Sequence, residues 1–173
     1  MSIIKFYAGD SADDRGRYLR DILKWPDERL ESTHDYIQWL FPLREASGFN
    51  PHAPTLDDAI IREFKTRSEL QNNMRRALVR MLDFYGLRLD SGKRLKGVAA
   101  KEFDHKRRNW LTYANHNHLR ITRILKSTSL LGLGPEAQAL LHCLTNIHEA
   151  ERERATPGIS EETFEFWQKA VLE

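Results

Sequence analysis

The spacing of apolar side chains along the chain predicts amphipathic helices joined by short loops. The clearest apolar stripe recurs at steps of three and four residues, as expected where one face of a helix is buried. Its members are Met74, Leu78, Met81, Leu82 and Tyr85. Gly86 follows the stripe and is a residue type that commonly ends helices. The pattern therefore predicts that the longest helix begins at Thr66 or Ser68 and ends at or soon after Gly86.

Start and stop signals divide the rest of the chain into seven further predicted helices. Six of these are expected at about 11–25, 27–40, 101–113, 115–131, 135–154 and 160–172, and the seventh begins at Thr55. Residues 90–100 contain two glycines and predict an exposed loop. Residues 3–7 could be extended, but no second strand-like run offers them a partner. The prediction is an all-α, single-domain orthogonal bundle of about seven or eight helices over residues 1–173.

Residues 34–43 carry six large apolar side chains in ten positions. Pro42 biases Phe41 away from the helical region, so the helix is predicted to end near Leu40. Such a run usually belongs to a protein core. The alternative is that Trp39 and Phe41 form an aromatic surface that contacts a partner.

Length and composition are those of an ordinary globular domain. The chain has 173 residues, of which 40% are hydrophobic and 30% charged, and this size suits one core. No apolar run approaches the ~20 residues that span a bilayer, and the first residues do not resemble a signal peptide. The single cysteine, Cys143, excludes an internal disulfide and fits a helical stripe as a buried thiol. We therefore predict a cytoplasmic protein.

Charge is distributed unevenly along the chain. Residues 91–126 contain ten basic and two acidic residues, whereas residues 134–173 contain eight acidic and three basic residues. One interpretation is that the two segments pack beside each other and neutralise their charges across a solvated surface. The other is that the basic segment forms an anion-binding face.

Helical spacing makes the second interpretation specific. His116, Arg120 and Arg123 fall within a sector about 60° wide on a helical wheel, and a helix start at Asn115 would add free amide hydrogens that attract anions. Basic residues just upstream could bind phosphates while aromatic residues stack on bases. The predicted anion-binding residues are His116, Arg120, Arg123, Arg107 and Arg108, and the predicted aromatic contacts are Trp39, Phe41, Trp110 and Tyr113.

The sequence predicts no metal ion, cofactor or catalytic group. His116 and His118 are two residues apart, so on a helix their side chains point in nearly opposite directions. Glu31, His34 and Asp35 lie close together in sequence, but no nucleophile motif accompanies them. Local hydrogen bonding is the more common explanation for such a group.

The last predicted helix has an apolar face that can be buried in two ways. Phe164, Trp167 and Val171 recur at steps of three and four residues. This face either closes the domain core or binds a second copy of the chain. Closure is the favoured interpretation, and the expected state is a monomer or a weak homodimer.

Several segments of the chain have a distinctive order of polar and apolar residues. They are the run from His34 to Leu43 with its flanking Leu30-Glu31 and Arg44-Glu45, then Phe6-Tyr7, Phe49-Asn50, Ala53-Pro54, residues 81–89 and residues 116–127. Together these segments resemble the conserved domain of the opioid growth factor receptor family. The resemblance implies binding of the opioid peptide met-enkephalin and, in animal members, a nuclear-associated location and a long repeat-containing tail. Because no such tail is present, the chain is expected to be the stand-alone version of the domain.

Taken with the charge pattern, the resemblance predicts a non-enzymatic binding module. Its expected ligand is a peptide or an anionic molecule on the basic face. Two alternatives remain: a structural or regulatory protein-interaction domain that uses the aromatic surface, and a nucleic-acid-binding protein. An enzyme ranks third.

Overall fold

A computed structural model describes residues 2–92 and 94–172. Within these ranges the chain forms ten α-helices and one antiparallel pair of strands. The helices are α1 (Ile3–Ala8), α2 (Leu19–Ile22), α3 (Asp27–Ser32), α4 (Ile37–Leu40), α5 (Asp58–Thr66), α6 (Ser68–Tyr85), α7 (Phe103–Lys106), α8 (Asn117–Leu130), α9 (Gly134–Glu151) and α10 (Glu161–Leu172). The strands β1 (Leu87–Asp90) and β2 (Lys96–Ala99) lie between α6 and α7, and a short 3-10 turn, Arg107–Asn109, follows α7. The predicted helical character is therefore confirmed, but the all-α prediction is wrong in two respects: the described ranges also contain a two-stranded sheet, and they contain ten helices instead of seven or eight.

Local stop signals set several boundaries as predicted. The long helix α6 ends at Gly86, whose φ of 75° is left-handed and whose amide donates to the carbonyl of Asp83 at 3.0 Å. The short helix α4 ends at Leu40, two residues before Pro42. Pro135 occupies the first turn of α9, where its missing amide hydrogen does no harm. In the ranges that the structure describes, no helix combines the length and apolarity needed to cross a membrane.

Three predicted helices are wrong in extent. The helix expected at 11–25 shrinks to α2, because the Asp13 carboxylate accepts hydrogen bonds from the amides of Arg15 at 2.9 Å and Arg17 at 2.8 Å and holds a loop there. The helix expected at 27–40 divides into α3 and α4, with Thr33 extended between them. The helix expected at 101–113 is reduced to α7 and the 3-10 turn.

The expected loop at 90–100 is wrong because these residues belong largely to a β-hairpin. Leu87 is opposite Ala99 and Asp90 is opposite Lys96 in the antiparallel register. Each strand has only four residues, too few for a clear alternating pattern. Residues 3–7, considered as an extended segment, lie in α1, where the Ser2 hydroxyl accepts from the amide of Lys5.

The core contains most of the large aromatic side chains. The indoles of Trp39, Trp110 and Trp167 are fully buried. Helix α10 packs on α8 and α9, and the indole of Trp167 donates to the carbonyl of His118 at 3.2 Å. The predicted closure of the core by the last helix is therefore confirmed at Trp167. Cys143 is also buried, as predicted, and burial raises the pKa of its thiol to about 11.

The hairpin packs against α9 through Gly97, and this contact leaves no room for a side chain. A Cβ atom at this position would lie 2.6 Å from the carbonyl oxygen of Ala139 and 2.9 Å from the Cβ of Cys143. We expect Gly97→Ala to lower the free energy of unfolding by about 1–3 kcal/mol, because strand and helix must separate. Urea unfolding of Gly97→Ala and Gly92→Ala measures the effect. Gly92 is the control, since its Cβ would meet only Asp90, at 3.9 Å. Equal stability of the two variants would contradict the tight contact.

Candidate ligand-binding groove

A groove of about 330 Å³ lies between α8 and the segment from residue 34 to residue 49. One wall consists of His116, Leu119, Arg120, Thr122, Arg123 and Lys126. The opposite wall consists of His34, Ile37, Gln38, Leu43, Ser47 and Phe49. We call this the α8 groove. Its volume lies at the small end of the range for ligand sites in proteins.

The first wall forms on α8, which begins at Asn117, two residues after the predicted start. The side-chain oxygen of Asn115 accepts from the amide of Asn117 at 2.9 Å, which satisfies one free donor of the helix start. Residues three and four apart then share one side of the helix. The structure thus brings together His116, Arg120 and Arg123, as helical spacing predicted.

Arg120 is only 5% exposed and serves mainly to join α8 to α3. Its guanidinium donates to the carbonyls of Leu30 at 3.0 Å and Thr33 at 2.8 Å, and more weakly to that of Glu31 at 3.3 Å. These carbonyls lie at the C-terminal end of α3, where helical carbonyls lack partners and the helix dipole attracts a cation. The Glu31 carboxylate lies 3.7 Å away. The predicted anion-binding role of Arg120 needs an accessible guanidinium, whereas this guanidinium is buried and bound to α3.

Two further donors of α8 bind the backbone beyond α4. Arg123 donates to the carbonyl of Phe41 at 3.1 Å, and the Ser127 hydroxyl donates to that of Pro42 at 2.8 Å. Arg123 is half-buried, and this burial holds the pKa of its guanidinium below the usual value. Lys126, one turn further along the helix, lies 3.2 Å from the carboxylate of Glu45.

Two histidines, His34 and His116, close one end of the groove. Their rings meet edge to face at 5.5 Å, and His116 Nε2 lies 3.2 Å from the Glu31 carboxylate. Partial burial lowers the pKa of His116 despite this carboxylate, so its imidazole is largely neutral at pH 7. Arg120 donates to Nδ1 of His34 at 3.1 Å, which fixes the ring of His34 at this end of the groove.

The second member of the predicted histidine pair takes no part in the groove. His118 is buried, its Nε2 donates to the carbonyl of Trp110 at 2.9 Å, and its ring packs against Trp167. Within residues 2–92 and 94–172, no group of three potential ligands has the geometry for a metal ion.

The predicted aromatic contacts are wrong for three of the four residues. Trp39, Phe41 and Trp110 are fully buried. The indole of Trp39 donates to Asp14 at 2.8 Å, and that of Trp110 donates to the carbonyl of Tyr85 at 2.9 Å. Large aromatic rings bury well when the indole nitrogen finds an acceptor in this way. Tyr113 is the exception, with 71% of its surface exposed.

The two remaining predicted cations lie outside the groove. Arg107 is half-buried and lies 2.6 Å from the carboxylate of Glu151 in α9. Here the basic segment does meet the acidic C-terminal third, as the neutralisation hypothesis expected. Arg108 is exposed to solvent.

Two exposed apolar residues at the groove escaped prediction. Phe49 is 80% exposed and Leu119 is 65% exposed, although both are large and apolar. Each carried a signal in the sequence. Phe49 follows Gly48 in a turn-rich segment, and Leu119 falls outside the apolar stripe that contains Ile121 and Leu125.

Fold and groove together define a mostly helical domain with a concave, largely apolar groove bordered by cationic side chains. The chain belongs to the opioid growth factor receptor family: the family model described as the opioid growth factor receptor (OGFr) conserved region matches residues 1–173. The predicted family resemblance is confirmed.

The chain is similar to longer proteins of this family. It is 39% identical to the human opioid growth factor receptor over 160 residues, which make up 90% of this chain and 23% of that protein. It is also 39% identical to the rat opioid growth factor receptor-like protein 1 over 158 residues, or 88% of this chain and 32% of that protein. The chain thus spans about a quarter to a third of the length of these relatives. No solved structure gives a significant match.

Proposed function

We propose that the chain is a non-enzymatic binding module and that the α8 groove binds a short peptide. The observation that carries the proposal is the groove itself, where Ile37 and Leu43 form part of the wall and Phe49 and Leu119 are exposed. Apolar side chains exposed beside a concave surface are typical of ligand-binding sites. Cationic groups on the α8 wall add attraction for a negatively charged part of the ligand.

The names of the relatives support a peptide ligand. The human protein is called the opioid growth factor receptor, and the family resemblance implies met-enkephalin as the peptide. We propose that this chain binds a peptide of that kind, with one large apolar side chain in the groove. A volume of about 330 Å³ suits one or two side chains better than a folded partner.

The contacts inside the fold favour binding over catalysis. Glu31 binds His116, His34 accepts from Arg120, and Asp35 pairs with Arg17 at 2.7 Å. These three residues, the only grouping in the sequence that suggested acid–base chemistry, are thus occupied in holding the structure together.

A peptide is also favoured over a nucleic acid. Binding of single-stranded nucleic acid relies on aromatic side chains that stack on bases. Of the two aromatic residues predicted to stack on bases next to Arg107 and Arg108, Trp110 is buried and only Tyr113 is exposed. An interaction with a larger protein partner remains the second candidate, because Phe49 and Leu119 could contact a protein surface.

We further propose a cytoplasmic location for the chain. A buried thiol at Cys143 and no second cysteine fit a reducing compartment. Trp167 packs inside the chain that carries it, which favours a monomer.

Removing the exposed phenylalanine at the groove should weaken peptide binding. We expect Phe49→Ala to raise the Kd for met-enkephalin about tenfold, because truncation of an aromatic contact commonly costs 1–2 kcal/mol. Isothermal titration calorimetry measures the change. The matched control is Phe166→Ala, since Phe166 is also half or more exposed but lies on α10, away from the groove. Equal affinities of the two variants would contradict binding at Phe49, and no saturable binding to the unmodified chain would overturn the proposal.

A further inference from the structure

Arginines that are shielded from solvent in this fold pair with a carboxylate, with one exception. Six arginines are buried or half-buried, and five of them have a carboxylate within ion-pair distance. These pairs are Arg17–Asp13 at 2.6 Å, Arg67–Glu63 at 3.2 Å, Arg80–Asp27 at 2.7 Å, Arg107–Glu151 at 2.6 Å and Arg120–Glu31 at 3.7 Å. The sixth is Arg123, on the wall of the α8 groove.

Arg123 has a carbonyl partner but, among the residues that the structure describes, no carboxylate partner. One of its five N–H groups donates to Phe41, and in residues 2–92 and 94–172 no acidic side chain lies within ion-pair distance of its guanidinium. Glu45 acts on its charge only at longer range and is bound by Lys126 at 3.2 Å. A guanidinium remains charged in proteins, and a partly desolvated charge without a counter-charge is unfavourable. An anion that enters the groove would remove this penalty.

The rest of the groove limits what that anion can be. None of the lining residues in the described part of the chain is acidic, so an anion meets no like charge on the walls. Ile37 and Leu43 present apolar surface in the same cavity. The occupant must therefore combine an apolar group with a negative charge a few bonds away.

We infer, building on the proposed function, that Arg123 binds the C-terminal carboxylate of a peptide whose last side chain fills the α8 groove. At a C-terminus the carboxylate and the side chain are attached to the same Cα, so both fit a cavity of about 330 Å³. If the charge belonged to an internal acidic residue, the peptide backbone would continue on both sides of that residue and would have to leave the groove in two directions. The planar guanidinium suits a carboxylate because two parallel N–H groups can bind its two oxygens.

Three small probes separate the sources of negative charge. They are acetyl-Gly-Phe with a free carboxylate, the same compound as its carboxamide, and acetyl-Glu-Phe-carboxamide, whose charge is on a side chain. Binding to the full chain is followed by NMR titration of backbone amides, including those of Leu119 and Arg123, which detects millimolar affinities. We expect the free acid to bind about tenfold more tightly than either carboxamide, as a charge-assisted pair in a shielded site provides.

Variants then assign the effect to one side chain. Arg123→Gln should lower the affinity for the free acid about tenfold and leave that for its carboxamide unchanged, which removes the difference between the two probes. Arg108→Gln is the control, because Arg108 is exposed outside the groove, and the acid should keep its preference there. The comparison of acid with carboxamide uses the unmodified chain, so its result does not depend on whether a variant folds.

The possible failures of the two proposals are distinguishable. Equal binding of acid and carboxamide would overturn the role of Arg123 and leave the groove proposal intact. Binding of acetyl-Glu-Phe-carboxamide as tightly as the free acid would overturn the choice of a C-terminus. Titrations in which no probe shifts the groove signals would overturn both proposals.

Discussion

Replacing Arg120 with alanine should lower the free energy of unfolding by about 3–5 kcal/mol, the range found when one partner of a buried charged network is removed. The guanidinium donates to the carbonyls of Leu30, Glu31 and Thr33. Alanine would leave these acceptors without their donor where water has little access. The end of α3 and the extended residue that follows it would then lose their main attachment to α8.

Thermal and urea unfolding test this expectation. For a chain of this length, the loss corresponds to a melting temperature roughly 6–20 °C lower. The control is Arg108→Ala, which removes the same side chain at an exposed position and should change stability by less than about 0.5 kcal/mol. Equal melting temperatures of the two variants would mean that Arg120 does not hold α3 against α8.

Replacing Trp110 with alanine should be comparably severe, with a loss of about 3–5 kcal/mol. The indole is fully buried, packs edge to face on Tyr85 at 5.8 Å and donates to the Tyr85 carbonyl at 2.9 Å. Alanine removes this contact and leaves a cavity that the surrounding core fills only in part. The same change also tests the idea that Trp110 stacks on nucleic-acid bases.

Tyr113→Ala provides the matched control, since Tyr113 is three residues away and mostly exposed. Denaturant unfolding should show a change below about 0.5 kcal/mol for this variant. A Trp110→Ala variant as stable as the control would mean that the indole is available on the surface, and the nucleic-acid interpretation would regain its stacking residue.

Those parts of the fold that depend on local signals were predictable from the sequence. The apolar stripe of α6, the left-handed Gly86 and the position of Pro135 each act over a few residues, so their effects can be read without knowing the tertiary structure. The hairpin was not predictable in this way. Its strands are short, and the contact that makes it useful, between Gly97 and Ala139, joins residues more than forty positions apart.

In the candidate site, too, features set by neighbouring residues were predictable and features set by residues far apart in the chain were not. Helical spacing alone placed His116, Arg120 and Arg123 on one side of α8. It could not show that α3 covers Arg120, because the partner carbonyl of Leu30 lies 90 residues earlier in the chain. For the same reason the opposite wall, with Phe49, was missed.

The aromatic predictions failed for an energetic reason. Trp39 and Phe41 lie in a run that is apolar enough to be core, and the interpretation as core was the correct one. Trp110 lies in a basic segment, which suggested an exposed ring. Its indole nitrogen nevertheless finds a backbone acceptor in the interior, and burial of the ring then outweighs the polarity of its neighbours in sequence.

The way in which α8 holds the segment from residue 30 to residue 42 has an evolutionary consequence. Arg120, Arg123 and Ser127 donate hydrogen bonds to main-chain carbonyl oxygens, which every amino acid possesses. Mutations that alter side chains along this segment leave those oxygens in place, so these hydrogen bonds require particular residues on α8 but none on the segment itself. In related proteins, side chains of this segment that line the α8 groove can therefore change, and with them the ligand, while the hydrogen bonds that hold the segment to α8 are kept.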